Sequence, residues 1–382
     1  MDESMNTFLN KVGKTLNETR IVLPKTIDHI VEYRKRDKSY AAIWFKTKGC
    51  RYSFEGGCTM CDYFIGNDVS GDEMYQSFLT GMDELPEQPD LMVIQTSGSF
   101  FDPNEVPEYV RIRIFELLKE RLTKTILVFE THITTITEKV AEQLLSYFTT
   151  ERVQIEFGVE TSNEWIRKYC VNKWITNDQI EKSIQILRRF QIAALANIVI
   201  GIPFLSLKEN VESASNSITW AIQHGITSIC LFPVNLKPYT LTNWLNQHAL
   251  YQQPSLWALI DVIINVRKFF LPRVDTNWYR KTAKMDNPLY DASIQGPDTC
   301  EKCNEDIIKL LDKYNLDNTE RVEAVKNLEL YTCSCRNRYR DQLQTEHELS
   351  LHKRVKQYYS FIGKKLYGES FWNDETRKYL DI

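Results

Sequence analysis

From about residue 39 onward, short apolar segments alternate with longer amphipathic ones, and this rhythm constrains the fold more than any other feature of the 382-residue chain. Ala41 to Phe45, Leu91 to Gln95, Ile126 to Phe129, Val153 to Phe157, Leu195 to Ile200 and Ser228 to Phe232 read as strands. They recur at roughly 28 to 50 residues and are rich in β-branched side chains, which demands parallel pairing through right-handed crossovers. Capping-box spacings start the helices between them: Asp102 ahead of Glu105, Thr176 ahead of Gln179 and Ser206 ahead of Glu209. Six strand-helix units predict an α/β fold, a partial (β/α)6 barrel of the TIM type. Function then belongs at the C-terminal ends of its strands.

The rhythm divides the chain into a helical N-terminal extension over 1–38, the barrel over 39–240 and a mainly helical region over 241–382. In the first part Phe8, Val12 and Leu16, then Ile27, Ile30 and Val31, fall at helical spacing. In the last, Pro254 opens an apolar helix carrying Leu256, Trp257, Leu259, Ile260, Ile263 and Ile264. A net charge of -4 gives no global field for nucleic acid. With no apolar run long enough to span a membrane and no signal-peptide layout at Met1-Asp2-Glu3-Ser4, a cytoplasmic location with no membrane partner is expected. In a reducing compartment the nine cysteines are better read as metal ligands and buried side chains than as disulfides.

Seven of those nine form two clusters. Cys50, Cys58 and Cys61 lie on one glycine-bearing loop directly after the first barrel strand. Three thiolates can hold three irons of a 4Fe-4S cluster and leave the fourth iron open, whereas a structural zinc wants four ligands. The second set, Cys300, Cys303, Cys333 and Cys335, pairs C-x2-C with C-x-C and suits structural zinc, with an auxiliary iron-sulfur cluster or no metal as the alternatives. Cys170 and Cys230 sit inside helix and strand patterns as buried residues.

With seven residues between its first two cysteines, the loop resembles radical S-adenosylmethionine (SAM) enzymes. Ser97-Gly98-Ser99-Phe100-Phe101-Asp102, Glu130-Thr131-His132, Gly158-Val159-Glu160-Thr161-Ser162 and Gly201-Ile202-Pro203 extend that resemblance. Their order is similar to the branch containing the catalytic subunit of Elongator and the archaeosine synthase radical enzyme. Phe232 to Thr240 also looks like that narrower group. The resemblance implies that the protein binds a 4Fe-4S cluster and S-adenosylmethionine, cleaves the latter reductively to a 5'-deoxyadenosyl radical, and abstracts a substrate hydrogen. A low-potential donor of flavodoxin or ferredoxin type is implied with it.

Residue by residue, the resemblance places Ser97, Gly98 and Ser99 at the cofactor's ammonium, Glu160 at its ribose and Glu130 at its amino group or sulfonium. Gly98 read alone is equally a turn glycine, and Asn197, a ribose or carboxylate contact, is equally a satisfied core amide. Met60 and Tyr63, with Phe64, would wall the adenine, and Gly201 belongs to the last motif, although packing accounts for these aromatic and apolar groups as well. His132 stands where the branch has arginine and is either a substrate-facing group or structural. The implied function is modification of a tRNA base or nucleoside, with a partner enzyme supplying a modified substrate. The same chemistry on a small metabolite or peptide, and a non-catalytic iron-sulfur and zinc scaffold, are the other readings. Arg336, Arg338, Arg340, Lys353, Arg354 and Lys356 could meet phosphates or form a solvated face.

Overall fold

The computed structural model describes residues 7–19, 28–35, 38–62, 68–280, 282–283, 294–316, 318–345 and 348–370. Eight strands form its main sheet in chain order: β1 (His29–Lys35), β2 (Ser39–Phe45), β3 (Leu91–Gln95), β4 (Ile126–Glu130), β5 (Val153–Glu160), β6 (Ala193–Ile200), β7 (Ser228–Pro233) and β8 (Val274–Thr276). From β2 onward each strand runs parallel to the next, and β1 pairs antiparallel with β2. The sheet curls into a half-barrel, the architecture expected from the strand-helix rhythm. All six expected strands are present, and β1 and β8 extend the sheet at its two edges.

β1 replaces the second helix expected in the N-terminal extension. Val31 and Tyr33 pack on the core, and Arg34 and Lys35 at the end of the strand stay exposed. Its register sets Ile30 opposite Trp44 and Val31 opposite Ile43. Of the three expected capping boxes, Thr176 with Gln179 and Ser206 with Glu209 form in full. Asp102 caps no helix: the next one, Glu108–Arg121, starts behind Pro107. A further box forms at Ser70 and Glu73, ahead of the helix Gly71–Asp83.

Alternation along the strands separates two faces. Ile43, Ile94, Phe129, Ile155, Phe157 and Ile198 point outward into one large core shared with the surrounding helices. Ala42, Val93 and Val128, with Tyr40, Leu91 and Leu195, form a small apolar floor on the concave face. The free edge of β8 is closed by Asn315, whose amide accepts from the Thr276 N–H at 3.0 Å and donates to the Thr276 carbonyl at 2.9 Å. That side chain supplies the pairing a ninth strand would give.

A second core joins the chain's two ends. Phe8, Leu9, Val12 and Leu16 of the helix Phe8–Glu18 cluster with Val355, Tyr359 and Ile362 of the helix Leu351–Tyr367 and with Val199, Ile202, Val234 and Leu245. Phe8 and Tyr359 bring their ring centroids to 4.8 Å. Both terminal helices therefore pack at the C-terminal end of the strands. Among the described residues, no helix is long and apolar enough to cross a membrane.

Candidate cofactor and metal sites

Cys50, Cys58 and Cys61 lie half-buried on the loop that leaves β2. The loop owes its course to backbone contacts as much as to side chains. Gly56 and Gly57 adopt φ of 116° and 70°, and a Cβ on Gly13 of the N-terminal helix would stand 2.0 Å from the Gly56 carbonyl oxygen. Helix and loop thus touch backbone to backbone, which only glycine allows at both positions.

Asn172, fully buried at φ 61°, ties the same loop down. Its Nδ2 donates to the Gly57 carbonyl at 2.7 Å and to Asn10 Oδ1 at 2.6 Å. Thr59 adds a backbone bond to Val171 at 2.9 Å, and its carbonyl accepts from both the N–H and the hydroxyl of Thr242 at 3.0 Å. The cysteine loop is clamped between the turn that follows the helix Glu164–Tyr169, the helix after β7 and the N-terminal helix.

The loop after β3 abuts it. A Cβ on Gly98 would lie 2.6 Å from Cys50 Cβ and 2.7 Å from Glu105 Oε2. Close approach to the first cysteine therefore requires this glycine. Glu105, placed by its spacing in a capping box, instead braces the two loops: Oε1 accepts from Thr47 Oγ1 at 2.8 Å and Oε2 from the Ser99 N–H at 2.6 Å. Burial raises its pKa to about 7 against those hydrogen bonds. Ser99 Oγ pairs with Thr131 Oγ1 at 2.7 Å, while Ser97 Oγ is buried with no hydrogen-bond partner among the described residues.

At the end of β5 a bulge between Gly158 and Glu160 turns Glu160 to φ 63°. Lys173 Nζ donates to Glu160 Oε1 at 2.9 Å and to the Gly158 carbonyl at 2.7 Å. The pair is buried, and its ammonium opposes the rise that burial imposes on the Cys58 thiol. Cys50 is likewise pushed up by burial. Neutral thiols in the metal-free protein must release protons when they become ligands.

One layer toward the floor, Glu130 of β4 stands in register with Glu156 of β5. Burial and then Glu156 raise the Glu130 pKa to about 8, against a hydrogen bond from Gln95. Glu156 is also raised by burial, against a hydrogen bond from Asn197, whose own Oδ1 has no partner among the described residues. Asn197 is thus only partly satisfied, which neither a wholly satisfied core amide nor an open polar site would show.

The remaining expected residues scatter around this centre. His132 Nδ1 accepts from the Thr134 N–H and lies 2.7 Å from its hydroxyl, and burial, with Lys173 and Arg51, lowers its pKa to about 3. The ring is neutral and ties down its own turn; at neutral pH it offers no imidazolium proton. Gly201 has φ 101°, and its carbonyl accepts from Tyr251 at 2.8 Å. Met60 packs half-buried on the second core. Tyr63 and Phe64 lie outside the described residues.

In the C-terminal region Cys300, Cys303, Cys333 and Cys335 converge, their sulfurs all within 4.8 Å of one another. Four of the separations are 3.5 Å. Tetrahedral bonds of about 2.3 Å to one ion put sulfurs about 3.8 Å apart, so the set matches a single metal, whereas an iron-sulfur cube needs a wider one. Cys303 and Cys333 cap the helices Asn304–Tyr314 and Ser334–Leu343, whose N-terminal N–H groups favour thiolate charge. Although burial opposes it, hydrogen bonds from the other three lower the Cys300 pKa to about 6. Trp257 Nε1 donates to Cys335 Sγ at 3.2 Å and joins the site to the apolar helix Leu256–Asn265.

No family model matches the chain. It is 28% identical over 317 residues to an uncharacterised protein of Methanocaldococcus jannaschii, covering 80% of this chain and 82% of that one. It is 26% identical over 308 residues to archaeosine synthase subunit beta of Methanosarcina acetivorans, covering 80% and 85%. The chain is a distant homologue of archaeosine synthase subunit beta. The subunit from Thermococcus kodakarensis matches at 25% over 308 residues, 78% of this chain and 89% of that one. Solved structures similar in fold include N-terminally truncated Elp3 of Methanocaldococcus infernus (TM-score 0.47, 15% identity, 72% of this chain and 63% of that one) and coproporphyrinogen III oxidase of Escherichia coli (0.43, 12%, 72% and 58%). The chain spans less than two thirds of either structure.

Three residues of this archaeosine synthase homologue escape sequence reading, Glu156, Asn172 and Lys173, and Glu105 is read there as a helix cap rather than a brace. Glu156 alone carried a signal, since alternation with Val153, Ile155 and Phe157 sets it on the opposite face. Two of the basic C-terminal residues are structural rather than open to phosphate. Arg336 is buried against the carbonyls of Leu328, Glu329 and Tyr331, and Arg354 pairs with Glu209. Arg338, Arg340 and Lys353 remain exposed.

Proposed function

We propose that this protein is a radical S-adenosylmethionine enzyme, with Cys50, Cys58 and Cys61 as the ligands of a 4Fe-4S cluster. The observation that carries the reading is the seating of Gly98 against Cys50 at the mouth of the half-barrel, with a buried, unsatisfied Ser97 hydroxyl beside it. A buried polar atom without a partner is costly, and a cofactor's polar groups would satisfy it. Together the cluster and S-adenosylmethionine would supply one-electron reduction and radical hydrogen abstraction.

The chain's own residues do the positioning. Thr59, Asn172 and Glu105 fix the two loops, Lys173 holds the Glu160 carboxylate at the rim, and the apolar floor keeps water from the concave face. Cys300, Cys303, Cys333 and Cys335 hold a structural zinc that fastens the C-terminal helices to the barrel through Trp257.

The substrate is a tRNA base or nucleoside, supported by similarity to archaeosine synthase subunit beta over four fifths of the chain. A flavodoxin- or ferredoxin-type donor supplies the electron, and a partner enzyme supplies the modified base. Anaerobic reconstitution, reduction and quantification of 5'-deoxyadenosine test the chemistry: intact protein forms it and Cys58→Ala does not. Equal yields refute the assignment. A tRNA titration across salt concentrations tests the substrate, with binding that weakens steeply as salt rises expected and no binding at low salt as the contrary result.

A further inference from the structure

The helix Glu164–Tyr169 follows β5 and so sits at the rim of the barrel mouth. Its Ile166 and Arg167 are buried, and Arg167 commits its guanidinium to the carbonyls of Thr161 and Ile175. Trp165, Lys168 and Tyr169, at i, i+3 and i+4, share the other face and stay half-buried. They belong to a continuous ridge of rings. Centroids lie 4.0 Å apart from His352 to Trp165, 5.2 Å from Trp165 to Tyr169 and 5.8 Å from Tyr169 to Trp174. Lys168 Nζ stands 5.4 Å from the Trp174 centroid. Trp165 packs on the second core, but among the described residues Tyr169 and Trp174 join no apolar cluster. Core packing therefore does not account for the ridge beyond Trp165.

One end of the ridge meets the cysteine loop. Trp174 Nε1 donates to Asn172 Oδ1 at 3.2 Å, and Asn172 Nδ2 holds the Gly57 carbonyl. The other end lies on the helix Leu351–Tyr367, which carries Lys353, Arg354, Lys356, Lys364 and Lys365 and no acidic residue, within a chain of net charge -4. Arg354 turns inward to Glu209, whereas His352 and Lys353 are exposed and Lys356 is half-buried. The carboxylates closest in sequence are Glu164, which accepts from the Asn177 N–H at 2.9 Å, and Glu348, exposed ahead of the last helix. Positive charge beside aromatic surface outside the core suits a polyanion with π faces of its own. Unpaired RNA is such a ligand, its phosphates meeting lysines and its bases stacking on rings. An acidic protein would match the charge and leave the rings without a role.

We propose that Trp165, Tyr169 and Trp174, flanked by Lys168, Lys353 and Lys356, form a docking ridge for an unpaired segment of an RNA substrate. This rests on reading the protein as one that modifies tRNA. The ridge holds the strand at the rim, next to the cysteine loop, while the base to be modified leaves its stack and enters the concave face.

The test uses the full chain, anaerobically reconstituted, with fluorescein-labelled oligouridine followed by fluorescence anisotropy and unfractionated tRNA as the second probe. Tyr169→Ala should weaken oligouridine binding about fivefold or more, the loss of one stacked base. Lys353→Gln with Lys356→Gln should weaken it too, and reduce the slope of log affinity against log salt by about 1.4, as two lost phosphate contacts on a single strand predict. Lys364→Gln with Lys365→Gln, the same change of charge at the far end of the helix, should leave affinity and slope unchanged. All three variants should keep the 5'-deoxyadenosine formed without RNA, and the lysine variants carry the test if Tyr169→Ala melts early. Equal losses in the two lysine pairs overturn the proposal, and so does full oligouridine binding by a folded Tyr169→Ala. If the Lys353 and Lys356 pair weakens binding of flavodoxin and not of RNA, the face belongs to an electron donor and the RNA assignment is wrong. Binding of tRNA that no variant impairs, or that oligouridine does not share, removes the ridge and leaves the tRNA reading standing. Intact protein that binds neither RNA overturns both.

Discussion

Glu130 and Lys173 carry opposite electrostatic problems, and each leads to a measurement. Unfolded, Glu130 titrates near 4.5; folded, it holds its proton to about 8. Between those values the folded state binds more protons than the unfolded state, so stability falls as pH rises, by at most about 1.4 kcal/mol per pH unit for this group. Glu130→Gln should flatten that part of the slope in urea unfolding of cluster-free protein; an unchanged slope from pH 4.5 to 8 would contradict the assignment. Lys173 is needed where it is. Lys173→Met strands the buried Glu160 carboxylate and should cost about 3–5 kcal/mol, while adding Glu160→Leu should recover much of it. If the double variant is no more stable than the single one, the pair is not what the lysine serves. The cysteines were legible because C-x7-C-x2-C sits in one stretch of chain. Lys173 and Glu105 were not, since their partners come from other loops and no local pattern marks a side chain that braces across a fold.

β1 and the N-terminal helix show how elements are read and misread. Six of the seven parallel strands could be placed from apolar runs between capping signals, because buried parallel strands are nearly continuous in hydrophobicity. β1 lies on the edge of the sheet, half-buried along most of its length, and its Ile30-Val31 pair also satisfied a helical spacing. The helix Phe8–Glu18 was visible by periodicity, but its job was not. Its Gly13 meets Gly56 of the cysteine loop with no room for a side chain, a contact that no sequence pattern marks. Gly13→Val should therefore displace the helix, expose the N-terminus to limited proteolysis and lower iron uptake severalfold. Zinc content, set about the distant four-cysteine site, should stay unchanged. Full iron uptake by Gly13→Val would show that the helix only covers the loop and does not shape it.

Across the whole molecule the two proposed metal centres would have separate tasks, one at the barrel mouth and one fastening the C-terminal helices. The four-cysteine site joins Cys300 and Cys303 to Cys333 and Cys335 around the helix pair Asn304–Tyr314 and Asn318–Leu330. Cys300→Ser should lose about one zinc per chain and lower the melting temperature, with the iron site intact; unchanged zinc and melting would sink the structural-metal reading. What holds the two ends of the chain together, the packing of Phe8 on Tyr359, had no counterpart in the sequence because the contact spans nearly its full length. Iron content decides the central claim. After anaerobic reconstitution with iron and sulfide, the account predicts a brown protein with about four irons per chain, whose reduced-cluster EPR spectrum shifts when S-adenosylmethionine is added, and a Cys58→Ala variant that keeps its zinc but loses this iron. A colourless protein that takes up no iron, or a Cys58→Ala variant that binds as much as the intact chain, would contradict it.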